Sequence, residues 1–176
     1  VSLAAGIIYK PLIIDDSYIG FRYALNIAAG HGMVFNAGEH VMGVSSPSYV
    51  YALGFMYWLG FPMRFSGLFL GIVPVAIMAG FFQLVALRVL SWRVALAAGL
   101  MVALFPATLF TANSGMDTPM SVAAVYGTFY FTLARKPYAS GAMAGLALLT
   151  RPDGALMAMA AVGYALIEDR RQAWKP

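Results

Sequence analysis

The chain has 176 residues, of which 61% are hydrophobic and only 10% are charged, with a formal net charge of +4. A soluble domain carries about 25% charged residues, so this composition excludes an ordinary water-facing surface and predicts a membrane protein. The absence of cysteine excludes disulfides and thiolate chemistry within the chain. Its basic residues are scattered singly or in pairs, so nothing predicts a nucleic-acid partner.

The first third of the chain predicts a long loop that rests partly on the membrane. Residues 1–9 are apolar but too few to cross a bilayer, which takes about 20 helical residues. We expect them to end a first span that begins earlier in a longer protein. Residues 10–64 form the predicted outer loop. Within it, 17–29 fits an amphipathic helix with Asp16 as its N-cap, and 48–60 fits an aromatic helix at the interface.

The remainder of the chain predicts a bundle of transmembrane helices, so that the expected fold is an all-α polytopic membrane protein. Three apolar runs are long enough to be spans: 65–87, 94–112 and 118–134. Two shorter runs follow at 138–149 and 155–167. They predict either a hairpin of short helices or one long helix broken at Pro152.

The positions of the basic residues predict the orientation in the membrane, because cytoplasmic loops are enriched in Lys and Arg. With the 10–64 loop outside and the two short runs forming a hairpin, most basic residues fall inside. These are Arg88, Arg93, Arg135, Lys136, Arg170, Arg171 and Lys175. Most acidic residues fall outside on the same assignment.

Two adjacent carboxylates, Asp15 and Asp16, follow the first apolar segment. Carboxylates beside a bilayer are costly unless they are solvated or used. They could deprotonate an acceptor hydroxyl, or hold a divalent cation against a phosphate. The alternative is that Asp16 caps the following helix and Asp15 is solvated.

Two further charged positions carry the same ambiguity between chemistry and local structure. Asp117 could serve a site, or it could cap the next helix with Pro119 in the first turn. Arg151 lies in a good turn sequence, but its guanidinium could instead bind a phosphate with two hydrogen bonds. His31, Glu39 and His40 could contribute to a metal site, but their spacing matches no strong ligand motif, which favours polar loop residues instead.

Four segments resemble, in order along the chain, motifs of the GT-C glycosyltransferases, above all the actinobacterial arabinofuranosyltransferase type that adds terminal arabinose. They are 15–24 with 30–39, the Ser45-Ser46-Pro47 segment, 114–119 and 149–154. The chain departs from the family pattern at Val44-Ser45 and at Ser48-Tyr49, where the family has Leu-Trp.

The resemblance implies a GT-C-like helix bundle in the bacterial plasma membrane with its active site facing the periplasm. The implied reaction moves a sugar, arabinofuranose or mannose, from a polyprenyl-phosphate donor to a hydroxyl of a cell-envelope glycan or glycolipid. Asp15 and Asp16 would be the catalytic carboxylates. The implied substrate-binding residues are Asp117, Arg151, Arg22, His31 and Glu39. A divalent cation, where one is used, would lie at Asp16 and Asp117.

A transporter or a lipid-linked sugar flippase is the main alternative. Such proteins place ionisable groups within their spans, often on broken helices, whereas the acids here are predicted at helix ends. The pair of short runs around Pro152 is the feature that favours this alternative. A non-catalytic scaffold would leave the aspartate pair unexplained. We expect the isolated 176 residues to be inactive, because further spans would be missing.

Overall fold

The computed structural model describes residues 13–39, 41 and 43–173, which form helices joined by short turns with no strand among them. The helices are α1 Asp15–Ala28, α2 Pro47–Trp58, α3 Met63–Ala86, α4 Trp92–Leu104, α5 Pro106–Asn113, α6 Thr118–Leu133, α7 Pro137–Thr150 and α8 Gly154–Ala173. The all-α prediction is confirmed. The expected end of a first span, 1–9, and His40 lie outside the described residues.

Proline marks the beginning of several helices. It occupies the first turn of α2, α5, α6 and α7. A proline there loses no hydrogen bond, because the first N–H groups of a helix have no partner within it, and its fixed φ already suits the helix. The sequence therefore sets these four boundaries locally.

One described helix, α3, is long and apolar enough to cross a membrane, with 24 residues and a mean hydropathy of 2.3. At about 1.5 Å per residue it is long enough for a hydrocarbon core of about 30 Å. The helices α4 and α5 reach that length and apolarity only together, and they are bent by 52° at their junction. The predicted span 118–134 forms the 16-residue helix α6.

The predicted span 94–112 is not one continuous helix, because the chain leaves the helix at Phe105. This residue has φ −59° and ψ 133°, an extended conformation. The ring of Pro106 disfavours helical geometry in the residue before it, which explains the break. Pro74, by contrast, lies inside the continuous helix α3.

The prediction that Asp16 caps the first helix is wrong, because α1 begins at Asp15, two residues before the predicted start at Ser17. Ile14 takes the N-cap position in an extended conformation, and its carbonyl accepts a hydrogen bond from the Ser17 N–H at 3.0 Å. The Ile14 N–H is itself donated to the carbonyl of Ser114 at 3.2 Å. A tertiary contact thus fixes where the helix starts, and both aspartates lie in its first turn.

Hydrogen bonds between distant residues show how the helix ends are arranged. Ser48 at the start of α2 contacts Thr150 at the end of α7, with 2.8 Å between the hydroxyl oxygens. The other end of the bundle is marked by Arg88, whose Nη1 donates to the carbonyl of Leu133 at 2.9 Å. The predicted catalytic segments therefore share one end of the bundle. The basic turn after α3 lies beside the end of α6, at the other end.

The two short C-terminal runs form separate helices that lie side by side. Ser140 and Ala144 of α7 line a cavity together with Ala161 and Val162 of α8. The midpoint of α8 therefore lies beside the first half of α7, as in a helical hairpin with its turn at 151–153.

Very close backbone contact joins α3 to α5. A Cβ atom built on Gly71 would collide with the backbone carbonyl of Ala112, so only glycine permits this approach. We expect Gly71→Ala to force the helices apart and to lower the free energy of unfolding by about 1–3 kcal/mol.

Gly80→Ala is the matched control for Gly71→Ala, since Gly80 lies on the same helix and a Cβ there meets nothing within 4 Å. Thermal unfolding in detergent should show a lower Tm for Gly71→Ala alone. Equal Tm values for the two variants would contradict the proposed close packing.

Candidate functional site

A pocket of about 200 Å³ lies where the four motif segments meet. We call it the polar pocket because three charged residues line it, although apolar atoms make up more than half of its lining surface. It is lined by Asp16, Ser17, Ile19, Gly20, Gly43, Val44, Ser45, Ser46, Tyr49, Gly115, Met116, Asp117 and Arg151. Three of the residues that the sequence analysis singled out, Asp16, Asp117 and Arg151, thus share one pocket although up to 135 positions separate them along the chain. This makes it the candidate active site.

The turn between α5 and α6 forms one wall of the pocket. Gly115 has a φ of +74°, a conformation that side chains with a Cβ rarely adopt. A Cβ there would also approach Phe21 Cζ and Ser17 Oγ, each to 3.3 Å. The buried Ser17 hydroxyl donates a hydrogen bond to the carbonyl of Ser114 at 2.6 Å, so α1 holds this turn directly.

Tyr49 of α2 holds the same turn from another side. Its hydroxyl donates to the carbonyl of Gly115 at 2.7 Å, and its side chain is only 3% exposed. Burial, and in smaller part the negative charge of Asp117, raise the pKa of Tyr49 well above its ordinary value. The phenol therefore stays protonated and remains a hydrogen-bond donor at physiological pH.

A second tyrosine positions the segment that precedes α2. The Tyr23 hydroxyl donates to the carbonyl of Val41 at 2.6 Å and accepts the N–H of Gly43 at 2.8 Å. The ring of Tyr23 is buried in the core between α1 and α2. The Gly43 side of the pocket is thereby tied to the hydrophobic core.

Arg151 lies between two carboxylates. Its Nη1 is 3.4 Å from Oδ1 of Asp117 and its Nε is 3.3 Å from Oδ1 of Asp153. The Asp117 side chain is 10% exposed, that of Arg151 38% and that of Asp153 63%. A carboxylate as buried as Asp117 needs a positive partner. Both contacts are long, and a guanidinium has five N–H donors, so Arg151 keeps donors for a ligand.

A larger groove of about 490 Å³ adjoins the polar pocket between α6 and α8. It is lined by Thr118, Ser121, Val122, Val125, Arg151, Asp153, Gly154, Leu156 and Met157. Its lining surface is more strongly apolar than that of the polar pocket, and Arg151 lines both cavities. A positive charge therefore stands where a polar pocket meets an apolar groove.

The other predicted site residues lie elsewhere. Asp15 is exposed and does not line the pocket. Arg22 donates through Nε to the carbonyl of Phe35 at 3.1 Å, and Glu39 accepts from Nδ2 of Asn36 at 3.0 Å. His31 is exposed in the turn after α1. The catalytic role of Asp15 and the substrate contacts of Arg22, His31 and Glu39 stay predictions, and none of these residues lines the pocket.

No three metal-ligating side chains converge among the residues that the structure describes. Asp16 and Asp117 both line the pocket, and a divalent cation there would need oxygen ligands from a substrate phosphate as well. Cation binding at these two residues therefore stays a prediction.

Sequence reasoning missed the hydroxyls of Ser48 and Tyr49, which were assigned only to an interfacial helix. The available signal was the departure from the family pattern at these two positions. It marked them as unusual without saying what they contact.

Taken together, fold and site define a bundle of apolar helices that carries carboxylates and an arginine at one end. Residues 44–176 match the model of the dolichyl-phosphate-mannose-protein mannosyltransferase family. Because this match covers most of the chain, the chain belongs to that family, whose members are membrane proteins. The resemblance to GT-C glycosyltransferases is confirmed.

A curated relative shares part of the sequence. It is the terminal β-(1→2)-arabinofuranosyltransferase of Mycobacterium tuberculosis, 38% identical over 68 residues. The matched segment covers 39% of this chain and 11% of the mycobacterial protein. No solved structure matches the chain.

Proposed function

We propose that this chain forms the sugar-transfer pocket of an integral-membrane glycosyltransferase. The donor is a polyprenyl-phosphate sugar, and the acceptor is a hydroxyl of a cell-envelope glycan or glycolipid on the outer face of the bacterial plasma membrane. The observation that carries the proposal is the position of Arg151 at the junction between the polar pocket and the apolar groove.

A polyprenyl-phosphate sugar has three parts that match this junction in order. Its isoprenoid chain is apolar and would lie in the groove between α6 and α8. Its phosphate is anionic and would accept charge-assisted hydrogen bonds from Arg151. Its sugar is polar and would occupy the pocket that Asp16 and Asp117 line. The N-terminal ends of α6 and α8 lie beside the phosphate position and favour negative charge there.

The carboxylate of Asp16 is the proposed general base. It would take the proton of the acceptor hydroxyl as the acceptor oxygen forms its bond to the anomeric carbon. The bond between the anomeric carbon and the phosphate oxygen breaks in the same step, and the electron pair leaves with the polyprenyl phosphate. Asp117 would hold Arg151 in place through their ion pair.

The comparisons suggest two alternatives for the transferred sugar. The family description names mannose, and the name of the mycobacterial relative includes arabinofuranose. The pocket of about 200 Å³ accommodates a single sugar ring of either kind. An assay with both donors decides between them.

Replacing Asp16 by Asn should lower kcat by about 10²–10⁴-fold, the usual contribution of a general base. Asp15→Asn is the matched control, because this neighbouring carboxylate does not line the pocket. The measurement is transfer from radiolabelled polyprenyl-phosphate sugars by membranes containing the intact protein. Full activity of Asp16→Asn, or an equal loss in Asp15→Asn, would contradict the assignment.

Replacing Arg151 by Lys should raise KM for the donor by about 10–100-fold, because an ammonium cannot form the planar two-bond contact with a phosphate. Arg64→Lys serves as control, since Arg64 is exposed and outside both cavities. An unchanged donor KM in Arg151→Lys would show that the phosphate binds elsewhere.

The orientation is tested with single cysteines in a cysteine-free form of the intact protein. A membrane-impermeant thiol reagent on intact cells should label His31→Cys at the pocket end. It should label Tyr138→Cys, whose position is 94% exposed, only after the membrane is permeabilised. Labelling of Tyr138→Cys on intact cells would place the basic turns outside and refute a periplasmic site.

A further inference from the structure

The start of α2 contacts two other segments of the site through neighbouring hydroxyls. Tyr49 donates to the carbonyl of Gly115, two residues before Asp117. Ser48 meets the hydroxyl of Thr150, the residue before Arg151, at 2.8 Å. The two turns that carry the Asp117–Arg151 ion pair are thus each bonded to one short stretch of α2.

The direction of the Ser48 hydrogen bond follows from proton counting. The Thr150 hydroxyl donates its single proton to the carbonyl of Leu146 at 2.7 Å. A hydroxyl has one proton but two acceptor sites, so Ser48 must be the donor to Thr150. Both hydroxyls of α2 therefore donate outward, Tyr49 to the α5–α6 turn and Ser48 to the end of α7.

The surroundings make both bonds costly to lose. Thr150 is fully buried and Tyr49 is 3% exposed, so water cannot easily replace either partner. Adjacent residues on a helix point about 100° apart, which lets one turn of α2 reach the α5–α6 turn and the end of α7 together.

We propose that Ser48 and Tyr49 are positioning residues, which together set the separation between Asp117 and Arg151. The proposal rests on the proposed function for its kinetic consequence, while its structural part stands alone. Neither hydroxyl needs to touch the substrate. Tyr49 acts on Asp117 through the backbone carbonyl of Gly115, two residues earlier. Ser48 acts on Arg151 through the side-chain hydroxyl of the preceding residue, Thr150.

The first test is amide hydrogen exchange of the intact protein in detergent. Tyr49→Phe should accelerate exchange about tenfold in peptides covering 113–118 and leave 149–154 unchanged. Ser48→Ala should do the reverse. Tyr51→Phe and Ser91→Ala are the matched controls, because Tyr51 is 53% exposed on the same helix and Ser91 is exposed at the other end of the bundle. Unchanged exchange in both peptides would overturn the proposal.

The second test is kinetic. Ser48→Ala should raise the donor KM about tenfold with kcat little changed, and Ser48→Thr, which keeps a hydroxyl, should restore it. Tyr49→Phe should instead lower kcat at saturating donor. Parallel loss of kcat and Tm in both variants would mean a purely structural role and would overturn the proposal. If the wild-type protein transfers no sugar, the proposed function fails, while the exchange result still decides whether the hydroxyls hold the two turns.

Discussion

The buried carbonyl groups of Ser114 and Gly115 impose the constraint on which the site depends. A buried carbonyl without a hydrogen bond costs about 1–3 kcal/mol, and the turn that carries these two makes few bonds within itself. Ser17 and Ile14 supply donors to Ser114, and Tyr49 supplies one to Gly115. The turn therefore requires that α1 and α2 pack beside it, and this packing brings Asp16 into the pocket.

The packing of α1 and α2 beside this turn also connects the hydrophobic core with the candidate site. Phe21 and Tyr49 belong to the buried cluster between α1 and α2, and both also contact the α5–α6 turn. A rearrangement of this core would move the carbonyl donors and the pocket wall together. With the charged residues of the pocket at helix ends, none is required inside the spans. The sequence agrees, because no charged residue occurs between Arg64 and Arg88. A transporter would need such groups near the centre of its helices.

The sequence predicted the apolar helices but not where they bend. Pro74 and Pro106 lie in similar apolar runs, yet α3 continues through the first and the chain leaves the helix before the second. The residue preceding a proline is disfavoured in a helix, but not forbidden. A tertiary contact accompanies the second break, since the Ala112 backbone of α5 lies directly against Gly71 of α3. The local sequence does not predict that contact.

The site was predicted in part, and the difference follows from geometry. Asp15 and Asp16 are equivalent in sequence, but adjacent helical residues point about 100° apart. Only Asp16 therefore lines the pocket. Arg22 and Glu39 carry suitable charges, yet they contact the turn that follows α1 instead. Charge and motif order identified Asp117 and Arg151, because ionic groups are rare enough in this chain to stand out. The hydroxyls of Ser48 and Tyr49 lie in an aromatic segment, where a tyrosine ordinarily indicates an interface with lipid. Only the position of the facing carbonyl distinguishes a phenol that anchors a helix at the interface from one that holds the turn of the candidate site, and that position depends on the packing of the whole bundle.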